Sequence, residues 1–244
     1  MIDVHCHIIP GVDDGSDSMS TSMMMAAMAA DDGVDTIIAT PHFMEGGEGS
    51  FVRYRALQQA AKRAEREFHS SGIPIEIRCG AEVLCTDETL HLLETGEFPR
   101  IVGTDYSLVE FDFDESITYM SHCLHQIRCS GIRVIVAHPE RYFAIQANRK
   151  TLIEWVNLGY YLQVNKGSFE GQFGRSEQKT AKWIMKNKLA VLLASDAHNT
   201  TSRNPRLGGI RYELSRKYGE GLLELLTEEN PRRLLENQPL LRMK

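Results

Sequence analysis

Histidines and carboxylates recur in this chain immediately after short β-branched runs, a placement that suits a hydrolytic centre built on metal ions. The first run leads into His5-Cys6-His7, with Asp13-Asp14 a few residues on, and later runs lead into Thr40-Pro41-His42 and Gly80-Ala81-Glu82. Another closes on Glu110, and the next on His138-Pro139-Glu140-Arg141. The last two give Asn165-Lys166 and Ser195-Asp196-Ala197-His198. Alternate residues leaving a strand point the same way, so His5 and His7 can reach one ion. Carboxylates such as Glu82 and Glu110 at the close of apolar strands need cationic partners, which metal ions supply. Imidazole and carboxylate without thiolate suit Mn²⁺, Fe²⁺ or Zn²⁺ better than a Cys-rich structural zinc does. Nine or so ligands exceed one coordination sphere, and two or three ions bridged by carboxylates would use them all.

The elements that must position these groups follow from the periodicity. Strands are predicted at Ile2–His5, Asp35–Ala39, Ile75–Cys79, Tyr106–Glu110, Arg133–Ala137, Tyr160–Val164 and Ala190–Ala194. Amphipathic helices are predicted at Tyr54–His69, Thr86–Glu94, Ile117–Ser130, Lys150–Leu158 and Ser176–Asn187. Several end at a glycine just before the next strand (Gly33, Gly72, Gly131, Gly159), as helix C-caps do. Such alternation implies an α/β fold with a parallel sheet covered by helices. An open sheet would string the ligands along a line. A closed barrel gathers strand ends at one mouth, so the ligands favour closure. No linker or repeat marks a boundary, and residues 1–244 read as one domain. The glycine-rich loop Met44–Ser50 is the expected mobile element. Met19, Met23, Met24, Met25 and Met28 read as core filler on the first helix. His69, His91, His122 and His125 fall in predicted helices and read as solvated.

The chain has 244 residues, 42% hydrophobic and 25% charged, with net charge −6, which argues against nucleic acid as a partner. No apolar run approaches a membrane span, and no signal peptide is evident, so no membrane insertion is expected. The five cysteines (Cys6, Cys79, Cys85, Cys123, Cys129) form no CxxC pair and read as buried, reduced thiols of a cytoplasmic protein.

These residues resemble the PHP (polymerase and histidinol phosphatase) family of phosphoesterases. The opening Ile2-Asp3-Val4-His5-Cys6-His7-Ile8-Ile9-Pro10-Gly11-Val12-Asp13-Asp14-Gly15-Ser16 is similar, more narrowly, to bacterial manganese-dependent protein-tyrosine phosphatases of capsular and exopolysaccharide operons. The match continues through the motifs at Thr40-Pro41-His42, Gly80-Ala81-Glu82, Glu110-Phe111, His138–Tyr142 and Ser195–Asn199. The resemblance implies a distorted seven-stranded (β/α)7 TIM-like barrel, the PHP fold, holding three metal ions, Mn²⁺ foremost. By position, His5, His7, Glu82 and Asp196 would hold one ion. Glu82, Glu110 and His138 would hold a second, Glu82 bridging, and Asp14, His42 and His198 would complete the cluster. Arg141 and Arg203 match the family's phosphate-binding arginines. Many relatives carry a second histidine after Thr-Pro-His, and here Phe43 stands in that place.

The resemblance also implies a phosphotyrosine protein as substrate, a bacterial tyrosine kinase of polysaccharide synthesis. Hydrolysis is expected by in-line attack of water activated on the ions, with the arginines neutralising the equatorial oxygens. A small-molecule phosphatase such as histidinol phosphatase is the first alternative. An amidohydrolase-type enzyme is another, but such sites often use a bridging carboxylated lysine, and only Lys166 stands at a strand end. A metal-stabilised regulatory module without activity is the third. Thiol-based tyrosine hydrolysis needs Cys, five residues, then Arg; six positions on from the five cysteines stand Val12, Cys85, His91, Cys129 and Ile135.

Overall fold

The computed structural model describes residues 1–44 and 49–242, with the backbone alone at Phe51. All seven predicted segments are strands, within one or two residues at their ends. Two further short strands bring the number to nine among the described residues. They are β1 (Ile2–Cys6), β2 (Thr36–Ala39), β3 (His42–Phe43), β4 (Glu76–Cys79), β5 (Glu82–Leu84), β6 (Tyr106–Glu110), β7 (Arg133–Val136), β8 (Tyr161–Asn165) and β9 (Ala190–Ala194). The sequence predicts seven strands, and the structure divides the chain into these nine segments. Pro41 has no N–H for a ladder, and the stretch it interrupts pairs with different neighbours on its two sides. Before the break, β2 pairs with β1 and β4; after it, β3 pairs with β5.

Every strand pair is parallel, in a three-stranded sheet β1-β2-β4 and a six-stranded sheet β3-β5-β6-β7-β8-β9. Hydrogen bonds continue the β3–β5 and β2–β4 pairings up to the breaks. Glu82 N donates to Pro41 O at 3.0 Å, and Gly80 N to Ala39 O at 2.8 Å. On the other side of β1, Asp196 N donates to His5 O and His7 N to Ala197 O, each at 2.9 Å.

Strand alternation splits the apolar interior into two clusters. Ile38, Leu108, Ile135 and Leu192 belong to one, which also takes Leu234 and Leu240 of the C-terminal segment. Their neighbours Ile37, Val109, Val134, Val136 and Leu193 belong to the other, which packs beneath the helices. The period of two places successive side chains on opposite faces. In β1 the pairing with β2 shifts register between Asp3 and Cys6. Ile2 and Val4 fall in the first cluster but Cys6 in the helix-side one, so the irregularity turns the strand's faces over and frees His5 and His7 for the mouth.

The helices carry the outer layer. Helix α1 (Met19–Asp31) starts at Ser18, whose side chain accepts from Thr21 N. It buries Met25, and Met23 and Met19 pack partly against the core. Met24 is half exposed, because it lies off the buried stripe, so the reading of all five methionines as core filler is corrected there. Helix α2 (Ser50–Ser70) follows Gly49, whose φ of 96° favours glycine. Of the predicted mobile loop Met44–Ser50, residues 45–48 lie outside the described residues. The predicted helix Thr86–Glu94 is two short turns that break at His91. Four cysteines are buried and Cys129 is exposed, a correction to the reading of all five as buried. No helix among the described residues is long and apolar enough to cross a membrane.

Candidate metal centre

The structure brings the nine predicted ligands together at the C-terminal ends of the strands. His5 Nε2 and His7 Nε2 stand 3.1 Å apart, and each is 3.1 Å from Glu82 Oε2. Asp196 Oδ1 lies 3.4 Å from the first and 3.5 Å from the second. Donor atoms about 2.1 Å from a shared ion stand about 3.0 Å apart at octahedral angles and about 3.4 Å apart at tetrahedral ones. The four atoms match that cage.

Two more groups adjoin it. His42, Glu82 and Glu110 form one, with His42 Nδ1 2.8 Å from Glu110 Oε1 and 3.3 Å from Glu82 Oε2. His138 Nε2 reaches the same carboxylates, 2.6 Å from Glu82 Oε1 and 3.9 Å from Glu110 Oε2. The other group is His7, Asp14, His42 and His198, in which Asp14 Oδ1 lies 3.4 Å from both His42 Nε2 and His198 Nε2. His198 Nε2 is buried without a hydrogen-bond partner among the described residues, an orphan that a cation would satisfy.

Backbone strain marks the same place. His138 (φ 31°) and Asp196 (φ 51°) both adopt left-handed conformations just after β7 and β9. Such conformations cost on the order of 1–3 kcal/mol each and persist where the surroundings impose them.

With protein groups alone the cluster is electrostatically lopsided. Burial would lower the His7 imidazole, but its hydrogen bonds to Asp13 and Glu82 outweigh that and hold it up to about 10. Burial, and the Glu82 charge beside it, push Glu110 up to about 7. Burial and neighbouring His7 depress His198 to about 3. Against its burial, Glu82 is held well below the usual carboxylate range by His5 and His138. Divalent cations would relieve this imbalance by neutralising the buried carboxylates.

Sequence reasoning missed the partners that aim these ligands. Asp13 Oδ2 accepts from His7 Nδ1 at 2.8 Å and from His42 N at 3.0 Å. Gln163 Oε1 faces His5 Nδ1 at 3.0 Å, and Gln163 Nε2 donates to Asn165 Oδ1 at 2.7 Å. Asn165 Nδ2 in turn donates to Asp196 Oδ2 at 2.6 Å. Glu140, fully buried, accepts from Asn165 N at 2.9 Å and Ser168 Oγ at 2.7 Å. The signal for Gln163 was its parity with Asn165 on one strand.

The loop from β1 is pressed onto His7. Ser16 N donates to His7 O at 3.0 Å, and a Cβ at Gly15 would stand 2.3 Å from His7 O and 2.4 Å from His7 Cβ. Gly15→Ala is therefore expected to displace His7 and weaken ion binding by roughly 10–100-fold, the worth of an outer partner of a ligand. Titration of Mn²⁺ into chelator-stripped wild type and variant checks this; equal affinities would refute it.

The two predicted arginines flank the cluster. Arg203 Nη2 lies 2.7 Å, and Arg141 Nη1 3.4 Å, from Asp196 Oδ2. The Arg141 guanidinium sits between the Phe113 and Phe173 rings, 4.3 Å from each centroid. Arg203 Nε is buried with no hydrogen-bond partner among the described residues. Lys166, by contrast, turns from the cluster to Asn204 Oδ1 at 2.9 Å and Arg206 O at 2.7 Å.

Comparison with known proteins agrees with this geometry. The chain is 33% identical over 242 residues to the tyrosine-protein phosphatase YwqE of Bacillus subtilis, covering 99% of this chain and 94% of that one. It is 31% identical over 248 residues to the tyrosine-protein phosphatase CpsB of Streptococcus pneumoniae, covering 98% and 99%. A crystal structure from work on YwqE and CpsB, described as unique metal-dependent tyrosine phosphatases, matches with a TM-score of 0.90 at 33% identity, covering 100% of this chain and 97% of the other. Residues 1–236 match the family model for capsular polysaccharide synthesis, CpsB/CapC, and the chain belongs to that family.

Proposed function

We propose that this protein is a metal-dependent protein-tyrosine phosphatase of polysaccharide synthesis, acting on a tyrosine kinase of that pathway in the cytoplasm. The observation that carries it is the donor cage around Glu82 with an unpartnered Arg203 Nε beside it. In this reading His5, His7, Asp14, His42, Glu82, Glu110, His138, Asp196 and His198 hold two or three divalent ions. Mn²⁺ is the expected metal, since the donors are imidazole and carboxylate without thiolate. Relatives described as metal-dependent tyrosine phosphatases support the same reading. The hydrogen bonds from β1 to the segment after β9 support a distorted barrel closed into seven staves, with β2–β3 and β4–β5 each forming one stave, and a single domain over residues 1–244.

When bound, the ions activate water at neutral pH and neutralise charge on phosphoryl oxygens. Arg203 Nε and the Arg141 fork bind the remaining oxygens of the phosphoryl group, and the two phenylalanine rings hold Arg141 in place. The exposed ring of Phe113 offers a face for the aryl leaving group. Asp13 and Gln163 fix the ring orientations of His7 and His5. The amidohydrolase alternative is disfavoured because Lys166 points away from the cluster.

No thiol takes part. Cys6, the cysteine nearest the cluster in sequence, is fully buried, donates to Ala197 O, and burial pushes its thiol far above the usual range. A variant with all five cysteines replaced is expected to hydrolyse a phosphotyrosine peptide with Mn²⁺, without a phosphoenzyme, and to lose turnover on chelation. Turnover lost from a folded, metal-loaded variant would refute direct attack by water.

A further inference from the structure

The segment between His198 and the helix Gly208–Tyr218 delivers Arg203 to the cluster without forming a helix or strand of its own. Its side chains shape it instead. Asn199 Oδ1 accepts from Thr201 N at 2.9 Å and from Arg203 N at 3.1 Å. Arg203 O accepts from His198 N at 2.8 Å and from Asn199 N at 3.1 Å. Asn204 Nδ2 donates to Thr201 O at 2.8 Å, and Asn204 Oδ1 accepts from Arg206 N at 3.1 Å. These bonds run within the loop, so they fix its shape more than its place.

Its place is set from outside, by Lys166. That residue is 2% exposed, a rare position for an ammonium group without partners. Its Nζ donates to Asn204 Oδ1 at 2.9 Å and to Arg206 O at 2.7 Å. Both acceptors are neutral, and both belong to the Arg203 loop. Burial works against the charge of Lys166, and the carboxylates of Glu170, Asp3 and Asp32 work for it. Lys166 opens the short helix Lys166–Glu170 directly after β8, whose last residue is Asn165. Asn165 Nδ2 donates to Asp196 Oδ2, the same oxygen that Arg203 Nη2 meets. One strand end thus holds Asp196 through one residue and the loop that carries Arg203 through the next. The segment returns to Arg203 at Phe173, whose ring centroid lies 5.7 Å from the guanidinium carbon.

We propose that Lys166 is a positioning residue for phosphate recognition: its ammonium group clamps the loop at Asn204 and Arg206 and so sets where the Arg203 guanidinium stands. The inference rests on the phosphatase reading, in which Arg203 binds phosphoryl oxygens. The test uses the full chain with Lys166→Met, which keeps the apolar stem and removes the charge and its donors. The first readout is hydrogen exchange of the chelator-stripped protein, followed by mass spectrometry. The peptide spanning residues 199–206 is expected to exchange at least about tenfold faster in the variant, while β8 and β9 keep their wild-type rates. The second readout is binding of inorganic phosphate to Mn²⁺-loaded protein. Lys166→Met is expected to weaken it roughly tenfold, because small misplacements of a binding group are costly, and to keep the wild-type metal content. In an Arg203→Ala background the same change should add little, since it acts through that arginine. Unchanged exchange of the loop, losses that simply add, or shed metal overturns the proposal. Asn204→Ala, at a half-buried position, removes one clamp contact from the loop side and is expected to shift both readouts the same way, so it decides the matter if Lys166→Met does not fold. Phosphate bound as tightly by Arg203→Ala as by wild type would refute the phosphate role of Arg203, while loop exchange still decides whether Lys166 holds the loop.

Discussion

Glu82→Gln is expected to remove more than one equivalent of metal and to lower kcat/KM by more than the roughly 10–100-fold that an outer partner of a ligand is worth. Glu82 Oε2 faces His5 and His7 at 3.1 Å and His42 at 3.3 Å, while Oε1 faces His138 at 2.6 Å. One carboxylate therefore meets four imidazoles through two oxygens, the arrangement of a bridge between ions. Glutamine keeps the volume but loses the charge and one acceptor, and its NH₂ group repels a cation. Elemental analysis of purified protein, beside the gain in melting temperature on adding Mn²⁺, measures the effect. Wild type gains stability from the ions it binds, and the variant should gain less. A variant that keeps the full metal complement and the full gain would show that Glu82 does not bridge.

How much of this was legible in the sequence depends on the range of the interactions involved. The strand ends at Ile2–Cys6, Tyr106–Glu110 and Ala190–Ala194 followed from local alternation and apolar runs, and they carried the ligands with them. The break at Pro41 was also visible in the sequence. Its consequence, a change of pairing partner between β2 and β3, depends on neighbours 40 residues away in the chain and was not. The helices Gly208–Tyr218, Glu220–Glu224 and Asn230–Leu235 went unassigned, because their short amphipathic stretches are defined by what they cover. Asn230 shows why: its Nδ2 donates at 2.9 Å both to Val191 O on β9 and to Leu241 O, a clasp that no local pattern announces. Among the site residues, Asp14 and Asp13 were equally visible as an acidic pair. Only geometry assigned Asp13, the buried member, to orient His7, while the exposed Asp14 meets His42 and His198.

Arg203→Ala is expected to lower kcat/KM on a phosphotyrosine peptide by roughly 10–150-fold, the equivalent of about 1.5–3 kcal/mol for a charge-assisted contact. Two roles compete for this residue. Its Nη2 pairs with the buried Asp196 Oδ2 at 2.7 Å, which would make it a counter-charge for a ligand. Its Nε is buried and unpartnered, which would make it a donor to the phosphoryl group. The roles separate in metal-loaded protein. On the proposed assignment ions would neutralise Asp196, so a mere counter-charge would cost little once they are bound, whereas a phosphoryl donor would still be missed. The melting temperature of the loaded variant should therefore stay near that of wild type while kcat/KM per loaded molecule falls. Arg203→Lys keeps the charge but not the planar fork, and should recover only part of the loss. If Arg203→Ala instead sheds metal and melts early, with unchanged kinetics in the fraction that remains loaded, Arg203 serves Asp196 and not the substrate. Arg141, clamped between Phe113 and Phe173, should behave like Arg203 in the same assay. Because both guanidinium groups converge on Asp196 Oδ2, the double variant should fall short of the product of the two single losses.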